Sequence, residues 1–464
     1  MKRAIVAAIG IALLASACSK VVQITPEAAT EQARLAQTPA TADADATPAA
    51  DDTIRAGVWV RVQGAGDCLN VRAHASADDE RIAINYCRPD GTEAYVAAGP
   101  EENDDGRWWF LAGLGWALEE FLVFDRAEDL TQRVVPELAG LGTIGFTGPD
   151  GALWTMSADG SDRRRVEPLK DIQHDPAQGV YVSHPVWSPD GSAAIVQMSV
   201  QMPERWAFTV FVVDRFGNAV YEFQDAIEAS WSPDGTRLAM LRDAASGEAG
   251  GVVATPAVVD LSTNAVAEIG PTQFYETGPV WSPAGDRLAY EDPDGVHVVG
   301  ADGTGDTVLP VAGARPGWSP DGTRLTINTF GDECLGYVVY NIEAGSSDLC
   351  VPQPEGDGRR GGRGGSAADG RTVWSPDGAR FAYHTEWAVA NESGVYVVDA
   401  TTGEQTLLLG WQAVVSGFAP DGRHVLFSTR GADVVANMIW VGDVETGEVV
   451  LLAEGTAPVW LDAD

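Results

Sequence analysis

Cysteine, histidine and basic residues are scarce in this chain, and each shortage argues against a class of function. The 464 residues include 5 Cys and 6 His, and no Cys-x-x-Cys pair occurs. A zinc or dithiol redox motif is therefore not expected. Lys and Arg total 30 against 67 Asp and Glu, a formal net charge of −37. Nucleic acid and anionic lipid surfaces attract basic proteins, so neither is an expected partner.

Catalytic motifs are also missing from the sequence. It contains no Gly-x-Ser-x-Gly nucleophile elbow, no phosphate-binding glycine loop with lysine, no His-Glu-x-x-His and no EF-hand pattern. The six histidines are scattered without ligand spacing. The sequence therefore predicts no catalytic residue, no metal and no cofactor, and we expect a protein that is not an enzyme.

The first 17 residues are typical of a targeting segment. Lys2 and Arg3 precede an apolar run, Ala4 to Ala15, that is too short to span a membrane as mature structure. Small residues stand directly before Cys18, which resembles the lipobox of bacterial lipoproteins. The resemblance implies cleavage before Cys18, a lipid on its thiol and an extracytoplasmic protein that contacts the membrane through this lipid alone. An ordinary secretory signal is the alternative.

The next stretch, residues 18–52, is rich in Ala, Thr, Pro and Asp. Such a composition cannot bury a core, so we predict a disordered tether between the membrane and the folded part.

The four remaining cysteines fall into two local pairs. Cys68 and Cys87 lie in one small domain, and Cys334 and Cys350 lie in one later repeat. In an oxidising compartment two disulfides are the simplest account. Two pairs of buried thiols are the alternative.

The pentapeptide Trp-Ser-Pro-Asp-Gly is the dominant feature of the second half of the chain. Intact copies begin at Trp187, Trp231, Trp318 and Trp374, and altered copies begin at Trp281 and Phe418. Pro, Asp and Gly suit a tight turn, and the apolar alternation after each copy predicts strands. The aromatic residues follow one another at 37 to 56 residues. This spacing is typical of four-stranded propeller blades.

The two ends of the repeat region complement each other. Residues 143–161 match the later strands of a repeat but lack its first strand, whereas the chain ends on an isolated first strand around Trp460. We predict that this C-terminal strand completes the first repeat and hides both sheet edges. The repeat count is then seven; six is the alternative, if either half-repeat is decorative.

These repeats resemble the blades of the TolB-type, WD-like β-propeller family over residues 142–464. Upstream, residues 53–125 resemble bacterial SH3-like domains through Leu69-Asn-Val-Arg, Pro89-Asp-Gly-Thr and a Trp-rich strand. The resemblances imply an all-β protein in which a small SH3-like barrel is followed by a linker, residues 126–141, and a seven-bladed propeller.

The SH3-like resemblance also implies a candidate binding groove. Such domains often bind peptides or peptidoglycan, and the candidate groove residues are Trp108, Trp109, Trp116, Tyr86 and Asn70. Because neighbouring residues alternate across a strand, one of the two Trp rings is expected to point inward and the other outward. A structural or protein-docking module is the other interpretation.

The mouth of a propeller channel is the second candidate site. In such folds the start of each innermost strand faces the channel. The residues three places before each motif aromatic are His184, Glu228, Gly278, Arg315, Arg371, Val415 and Ala457, with Glu276 close by. This mixed-charge rim suits a peptide or a small polar ligand. A set of ordinary loop residues is the alternative.

Three functions follow from the sequence. The first is a non-enzymatic, lipid-anchored binding or scaffold protein that contacts an envelope protein, a peptide or a cell-wall component. The second is peptidoglycan or carbohydrate binding through the SH3-like domain. The third is a hydrolase or lyase that uses the propeller funnel. The oligomeric state is not predicted.

Overall fold

The computed structural model describes most of the chain after residue 52. The described residues are 21–23, 53–66, 69–72, 75–76, 87–149, 152–165, 179–183, 185–202, 206–246, 252–275, 277–331, 334–352, 372–385, 394–410, 413–429 and 437–461. Within these ranges the chain forms β-strands and three short 3₁₀ helices, Glu119–Phe121, Leu130–Gln132 and Pro136–Leu138. The predicted all-β class is confirmed there. None of the described helices has the length and apolarity needed to cross a membrane.

The first strand, β1 (Val21–Gln23), belongs to the predicted tether, whose other residues lie outside the described ranges. The N-terminal domain contains β2 (Val58–Val62), β3 (Leu69–Asn70), β4 (Cys87–Arg88), β5 (Glu93–Asn103), β6 (Gly106–Leu111), β7 (Gly115–Leu118) and β8 (Leu122–Ala127). Its main sheet has the order β7-β6-β5-β2-β8, and β3 pairs with β4. A small all-β domain is thus present, and its SH3-like identity stays a prediction.

Strand β6 of this domain is buried on both faces from Trp108 to Leu111. Trp109 and Leu111 enter the core of the N-terminal domain. Trp108 and Phe110 belong to a second apolar cluster that continues into the later sheets. The predicted alternation of the two Trp rings is therefore present, but the outward ring is covered rather than exposed.

Seven antiparallel sheets follow in the described part of the chain. Sheet 1 contains β9 (Thr143–Thr147), β10 (Leu153–Ser157) and β11 (Arg164–Arg165). Sheet 2 contains β12 (Val180–Val182), β13 (Val186–Trp187), β14 (Ala193–Gln201), β15 (Trp206–Asp214) and β16 (Ala219–Gln224), and β1 pairs with the outer edge of β16. Sheet 3 contains β17 (Ala226–Trp231), β18 (Arg237–Ser246), β19 (Val252–Asp260), β20 (Val266–Glu268) and β21 (Gln273–Tyr275).

The next four sheets are four-stranded. Sheet 4 contains β22 (Val280–Trp281), β23 (Arg287–Asp292), β24 (Gly295–Gly300) and β25 (Thr307–Val308). Sheet 5 contains β26 (Gly313–Trp318), β27 (Arg324–Gly331), β28 (Cys334–Asn341) and β29 (Ser346–Pro352). Sheet 6 contains β30 (Val373–Trp374), β31 (Arg380–Thr385), β32 (Gly394–Asp399) and β33 (Gln405–Leu409). Sheet 7 contains β34 (Ala413–Phe418), β35 (His424–Thr429), β36 (Met438–Asp443) and β37 (Val449–Glu454).

The last strand, β38 (Thr456–Leu461), returns to the beginning of this region and pairs antiparallel with β9. Trp460 lies opposite Ile144, so the pairing predicted for the C-terminal strand is present. The first strands of neighbouring sheets contact one another from β17 through β22, β26, β30 and β34 to β38. The first strands of successive sheets therefore lie side by side along one face of the assembly. This arrangement is consistent with a β-propeller.

Each motif turn is held by its own side chains. Its glycine is left-handed in all six copies, with φ between 66° and 69°, where other residues are strained. In the intact copies the Ser hydroxyl donates to the Asp carboxylate, as from Ser375 to Asp377 at 2.6 Å. The same Ser oxygen accepts the backbone N–H of Arg380, the first residue of β31. The motif aspartates are therefore used in turns, as their repetition predicted.

The motif also joins neighbouring sheets through a contact that we call the Trp–Arg clasp. In each clasp the indole N–H of one motif Trp donates to a backbone carbonyl of the preceding sheet, at 3.0 to 3.3 Å. The accepting residue directly precedes the motif aromatic of that sheet. These bonds run from Trp231 to Val186, Trp281 to Ser230, Trp318 to Val280 and Trp374 to Gly317. An arginine of the preceding sheet stacks on the same ring in three pairs, Arg237 on Trp281 at 4.8 Å, Arg287 on Trp318 at 5.0 Å and Arg324 on Trp374 at 4.9 Å. Each arginine also donates to a motif glycine carbonyl, at 2.7 to 2.9 Å.

The motif turns make stability depend on pH. Hydrogen bonds from Ser188, Ser232 and Ser375 lower the pKa of Asp190, Asp234 and Asp377 respectively. Groups with depressed native pKa values contribute stability that is present above the unfolded pKa, about 3.9, and is lost as the pH falls below it. We expect the wild-type stability to fall below about pH 4. Asp377→Asn should lower stability at pH 7 by about 1 kcal/mol, the net value of a hydrogen bond, and should weaken the acid dependence.

Urea unfolding between pH 7 and pH 2.5 measures this prediction. The matched control is Asp348→Asn at an exposed position of β29. Equal acid dependence in Asp377→Asn and the wild type would show that the turn carboxylates do not govern acid stability.

One of the two predicted disulfides is present in the structure. Cys334 and Cys350 form a bond with an S–S distance of 2.08 Å that links β28 to β29. Cys68 lies outside the described residues, so its pairing with Cys87 stays a prediction.

Candidate functional site

The residues three places before each motif aromatic form what we call the rim of the sheet assembly. At three of these positions the backbone geometry is unusual. Glu228, Arg315 and Ala457 are left-handed, with φ of 52°, 55° and 47°. Each lies within a register shift of its first strand, which is a β-bulge. Left-handed backbone is uncommon outside glycine, and a bulge re-aims the side chain that it carries. The repeat therefore turns these side chains away from the regular strand direction.

Neighbouring rim positions lie next to each other. A Cβ atom added to Gly278 of the next sheet would stand 2.3 Å from the carbonyl oxygen of Glu228 and 2.6 Å from its Cβ. Only glycine fits such a close approach. Glu228 itself is exposed and Arg315 is half-buried. The rim thus offers an accessible acidic side chain and a partly accessible basic one.

A second set of residues, which we call the acceptor positions, lies beneath the rim. In each sheet one residue of the second strand pairs with the motif aromatic, and the acceptor position lies three residues after it. The acceptor positions are Thr147, Gln197, Leu241, Glu291, Asn328, His384 and Ser428. Gln197 accepts the backbone N–H of Glu228 at 3.0 Å, and Glu291 accepts that of Arg315. A side chain of one sheet therefore holds the left-handed residue of the next sheet in place.

Two acceptor positions contain polar atoms that lack a hydrogen-bond partner among the described residues. The Asn328 side-chain oxygen and the Thr147 hydroxyl are buried without one, and each residue is 7% exposed. A buried acceptor without a donor costs about 1–3 kcal/mol. In the repeat the acceptor positions Asn328 and Thr147 correspond to rim positions 371 and 184, which lie outside the described residues.

Tyr337 completes the surroundings of Arg315. It pairs with Asn328 across β27 and β28 and is 2% exposed. Burial raises the pKa of the Tyr337 hydroxyl, and the positive charge of Arg315 opposes that rise. The guanidinium is therefore close enough to act electrostatically on this hydroxyl.

A buried histidine cluster lies in sheet 4. His297 Nδ1 is 3.0 Å from each carboxylate oxygen of Asp306, and His297 Nε2 is 3.0 Å from Asp292. The His297 ring also stacks on Tyr290 with a centroid distance of 4.7 Å. The His297 side chain is 7% exposed and that of Asp292 is 1% exposed. These contacts connect β23, β24 and the turn before β25 through one buried ring.

The N-terminal domain contains a pocket of about 250 Å³. Its lining residues are Ala65, Leu69, Asn70, Arg72, Trp108, Leu118 and Phe121. Asn70 and Trp108, two of the predicted groove residues, therefore meet at one pocket. Trp109 does not line it: this ring is in the domain core and donates to Glu119 at 2.6 Å.

The remaining predicted site residues are not tested. His184, Glu276 and Arg371 lie outside the described residues. The structure brings Glu228 and Arg315 to equivalent rim positions in sheets 3 and 5. Within the described ranges, no group of three or more His, Cys, Asp or Glu side chains has a geometry suited to a metal ion.

Sequence reasoning missed the acceptor positions, although a signal was present. The second strand of four repeats reads three mostly apolar residues and then a polar one: Leu-Ala-Tyr-Glu to Glu291, Leu-Thr-Ile-Asn to Asn328, Phe-Ala-Tyr-His to His384 and Val-Leu-Phe-Ser to Ser428. A polar residue at the same place in successive buried strands indicates a shared role for its side chain. At Glu291, as at Gln197, that role is to bond the rim.

Comparison with known proteins adds likenesses to solved structures only. No protein-family model and no curated protein matches this chain. TolB from Acinetobacter baumannii is 14% identical with a TM-score of 0.39, over 78% of this chain and 81% of its own. A putative TolB from Agrobacterium tumefaciens is 14% identical with a TM-score of 0.34, over 68% and 90%. Acylaminoacyl peptidase from Pyrococcus horikoshii is 14% identical with a TM-score of 0.39, over 60% and 46%. At such low identities and TM-scores these likenesses carry no weight for function.

Proposed function

We propose that this protein is a non-enzymatic binding protein of the cell envelope that holds a partner at its rim. In this proposal the seven sheets are the blades of a seven-bladed propeller closed by β38, and residues 53–125 are an SH3-like domain. A lipid on Cys18 anchors the chain outside the cytoplasm. The Cys334–Cys350 disulfide supports this location, because disulfides persist in oxidising compartments.

The strained charged residues of the rim carry the proposal. A non-glycine residue held in the left-handed region costs about 1–3 kcal/mol. Glycine at position 228 or 315 would remove that cost, yet the chain has Glu228 and Arg315 there. Strain of this kind clusters at binding and catalytic sites. The Glu228 and Arg315 side chains are therefore the best candidates for contact with a partner.

The neighbourhood of Arg315 indicates what a partner must offer. The guanidinium suits a carboxylate or another anionic group. A protein or peptide partner supplies such carboxylates on its side chains and at its C-terminus.

Replacement of Arg315 by glycine separates binding from folding. We expect the free energy of unfolding of Arg315→Gly to lie within about 1 kcal/mol of the wild-type value, because relief of strain offsets the extra freedom of glycine in the unfolded chain. Partner capture should nevertheless fall at least about tenfold, since a charge-assisted contact of about 1.5–3 kcal/mol is lost. Arg315→Lys is the matched variant that keeps the charge and the strain, and it should retain part of the binding.

Capture is measured with a photo-crosslinking residue introduced at position 228 in intact cells. The same residue at Val308, an exposed position of the outer strand β25, is the control. We expect a discrete adduct from position 228 that Arg315→Gly suppresses and none from position 308. Equal labelling at both positions would contradict a rim site.

A second candidate function, cell-wall binding, rests on the pocket formed by Asn70 and Trp108. A crosslinking residue at the exposed position 70 distinguishes the two candidates in the same experiment. Adducts with peptidoglycan fragments from position 70, without adducts from position 228, would favour the N-terminal domain as the binding module.

A further inference from the structure

The Trp–Arg clasp does not occur at every joint between neighbouring sheets. Both parts of it are present at the joints of sheets 3 and 4, 4 and 5, and 5 and 6, and the indole bond alone is present between sheets 2 and 3. Within the described residues neither part is found at the joints of sheets 6 and 7, 7 and 1, and 1 and 2. The unclasped joints are consecutive and include the sheet in which β38 meets β9.

The sequence explains why these joints lack the clasp. Phe418 of sheet 7 has no N–H to donate. The arginine position directly precedes the residue that pairs with the motif aromatic, and it is occupied by His424 in sheet 7 and by Thr143 in sheet 1. The indole N–H groups of Trp460 and Trp187 are buried without a hydrogen-bond partner in the structure. Some other contact must hold this side of the assembly.

The N-terminal domain covers the joint of sheets 6 and 7. Its Trp59 and Phe110 share one buried apolar cluster with Leu409 of sheet 6 and Trp440 of sheet 7. A Cβ atom added to Gly113 of the domain would stand 3.0 Å from the Trp440 ring and 3.5 Å from Leu409. The backbone of the domain therefore lies directly on both sheets.

The linker covers the joint of sheets 7 and 1. Its Val135 and Leu138 are buried in one cluster with Met156 of sheet 1 and Ile439 and Leu452 of sheet 7. Apolar side chains of the linker thus fill the space between the last complete sheet and the first.

Two arginines add polar bonds at the same place. Arg133 of the linker donates to the Leu451 carbonyl at 2.8 Å, and Arg163 of sheet 1 donates to the Leu452 carbonyl at 3.2 Å. The Arg133 guanidinium also stacks on Trp59 at 4.9 Å, and Arg126 contacts the same ring at 4.7 Å. Arg133 therefore connects the N-terminal domain to the outer strand of sheet 7.

We infer that the N-terminal domain and the linker hold the closing side of the ring in place of the clasps that are missing at the joints of sheets 6 and 7 and of sheets 7 and 1. Arg133 repeats the arginine part of the clasp, since its guanidinium stacks on the Trp59 ring and donates to the Leu451 carbonyl. The domain thus has a mechanical function in addition to any ligand that it binds. This inference depends on the closed sheet order and is independent of the rim as a binding site.

Hydrogen–deuterium exchange of the full-length chain tests the inference. Arg133→Ala removes the bond to Leu451 and the stacking on Trp59 without opening the core of either part. We expect amides of β9 and of β35 to β38 to exchange at least about tenfold faster, since local opening free energies set exchange rates. Amides of β22 to β28 should keep their wild-type rates. The control is Arg107→Ala, which removes the exposed ion pairs with Glu102 and Glu119 within the N-terminal domain.

A rescue variant makes the test independent of a general loss of stability. Phe418→Trp restores an indole N–H at the joint of sheets 6 and 7, where Arg380 already occupies the arginine position. In the Arg133→Ala background it should slow exchange in sheet 7 again. The inference is overturned if Arg133→Ala leaves sheets 7 and 1 unchanged, if it accelerates all sheets equally, or if Phe418→Trp gives no recovery.

Discussion

Removal of residues 457–464 should cause the largest loss of stability of any change considered for this chain. The truncation removes nearly all of β38, the strand that pairs with β9. It takes away two buried residues, Pro458 and Leu461, and the half-buried Trp460. Loss of buried apolar side chains costs about 2–5 kcal/mol each. Because net stabilities are only about 5–15 kcal/mol, we expect the closing sheet to open at ambient temperature.

Thermal unfolding and hydrogen exchange measure this outcome. The matched control ends the chain after Leu461, so that it loses residues 462–464 and keeps the whole strand. We expect this shorter truncation to melt at the wild-type temperature, whereas the longer one should melt at least about 10 °C lower, given about 2–4 °C per kcal/mol. Identical melting of the two truncations would mean that the β38–β9 pairing does not hold the assembly together.

The success of the sequence prediction at this strand has a physical reason. The motif turn is encoded locally, since Pro, Asp and a left-handed Gly specify the same turn in each copy. Once the turn is located, the strands on either side follow from alternation. The unpaired strand around Trp460 was then the only partner of matching type for the sheet that begins at Thr143.

The rim could not be predicted in the same way. Glu228 and Arg315 are left-handed against their own preference, and the groups that hold them there, Gln197 and Glu291, come from the preceding sheet. Such a conformation depends on contacts between sheets and not on the neighbouring sequence. The sequence identified the two residues as rim candidates but gave no sign of their backbone geometry.

The N-terminal domain shows a second limit of the same kind. Alternation placed Trp108 and Trp109 on opposite faces of β6, and both faces are indeed used. A sequence pattern does not show whether an outward ring meets solvent or another domain. Here the outward face of β6 packs into the apolar cluster of sheets 6 and 7. This packing explains why β6 is apolar on both faces.

Within one repeat the motif and the rim therefore have different tasks. At the turn end of the first strand, the motif residues form the clasp between neighbouring sheets. Their backbone conformations there match the preferences of their residue types. Three residues earlier the chain accepts strain and presents charged side chains. Substitutions at the turn end should accordingly change stability, and substitutions at the rim should change binding with little effect on folding.

Replacement of Trp318 by alanine should have the largest effect of any single substitution at a motif. The Trp318 ring is 9% exposed, donates to the Val280 carbonyl at 3.2 Å and stacks under Arg287 at 5.0 Å. Loss of a buried aromatic ring costs about 3–5 kcal/mol, and it leaves a cavity between sheets 4 and 5. We expect a large drop in the urea midpoint together with faster exchange in β22 and β26.

Trp318→Phe is the matched control, because the chain itself has Phe418 at the equivalent place in sheet 7. It keeps most of the buried ring but removes the N–H donor and weakens the stacking of Arg287. We expect a cost of about 1 kcal/mol, the net value of one hydrogen bond. If phenylalanine at position 318 were as costly as alanine, the indole bond would outweigh ring burial at this joint. If both variants were neutral, the clasp would not contribute to the cohesion of the sheets, and the inference drawn for the N-terminal domain would lose its basis.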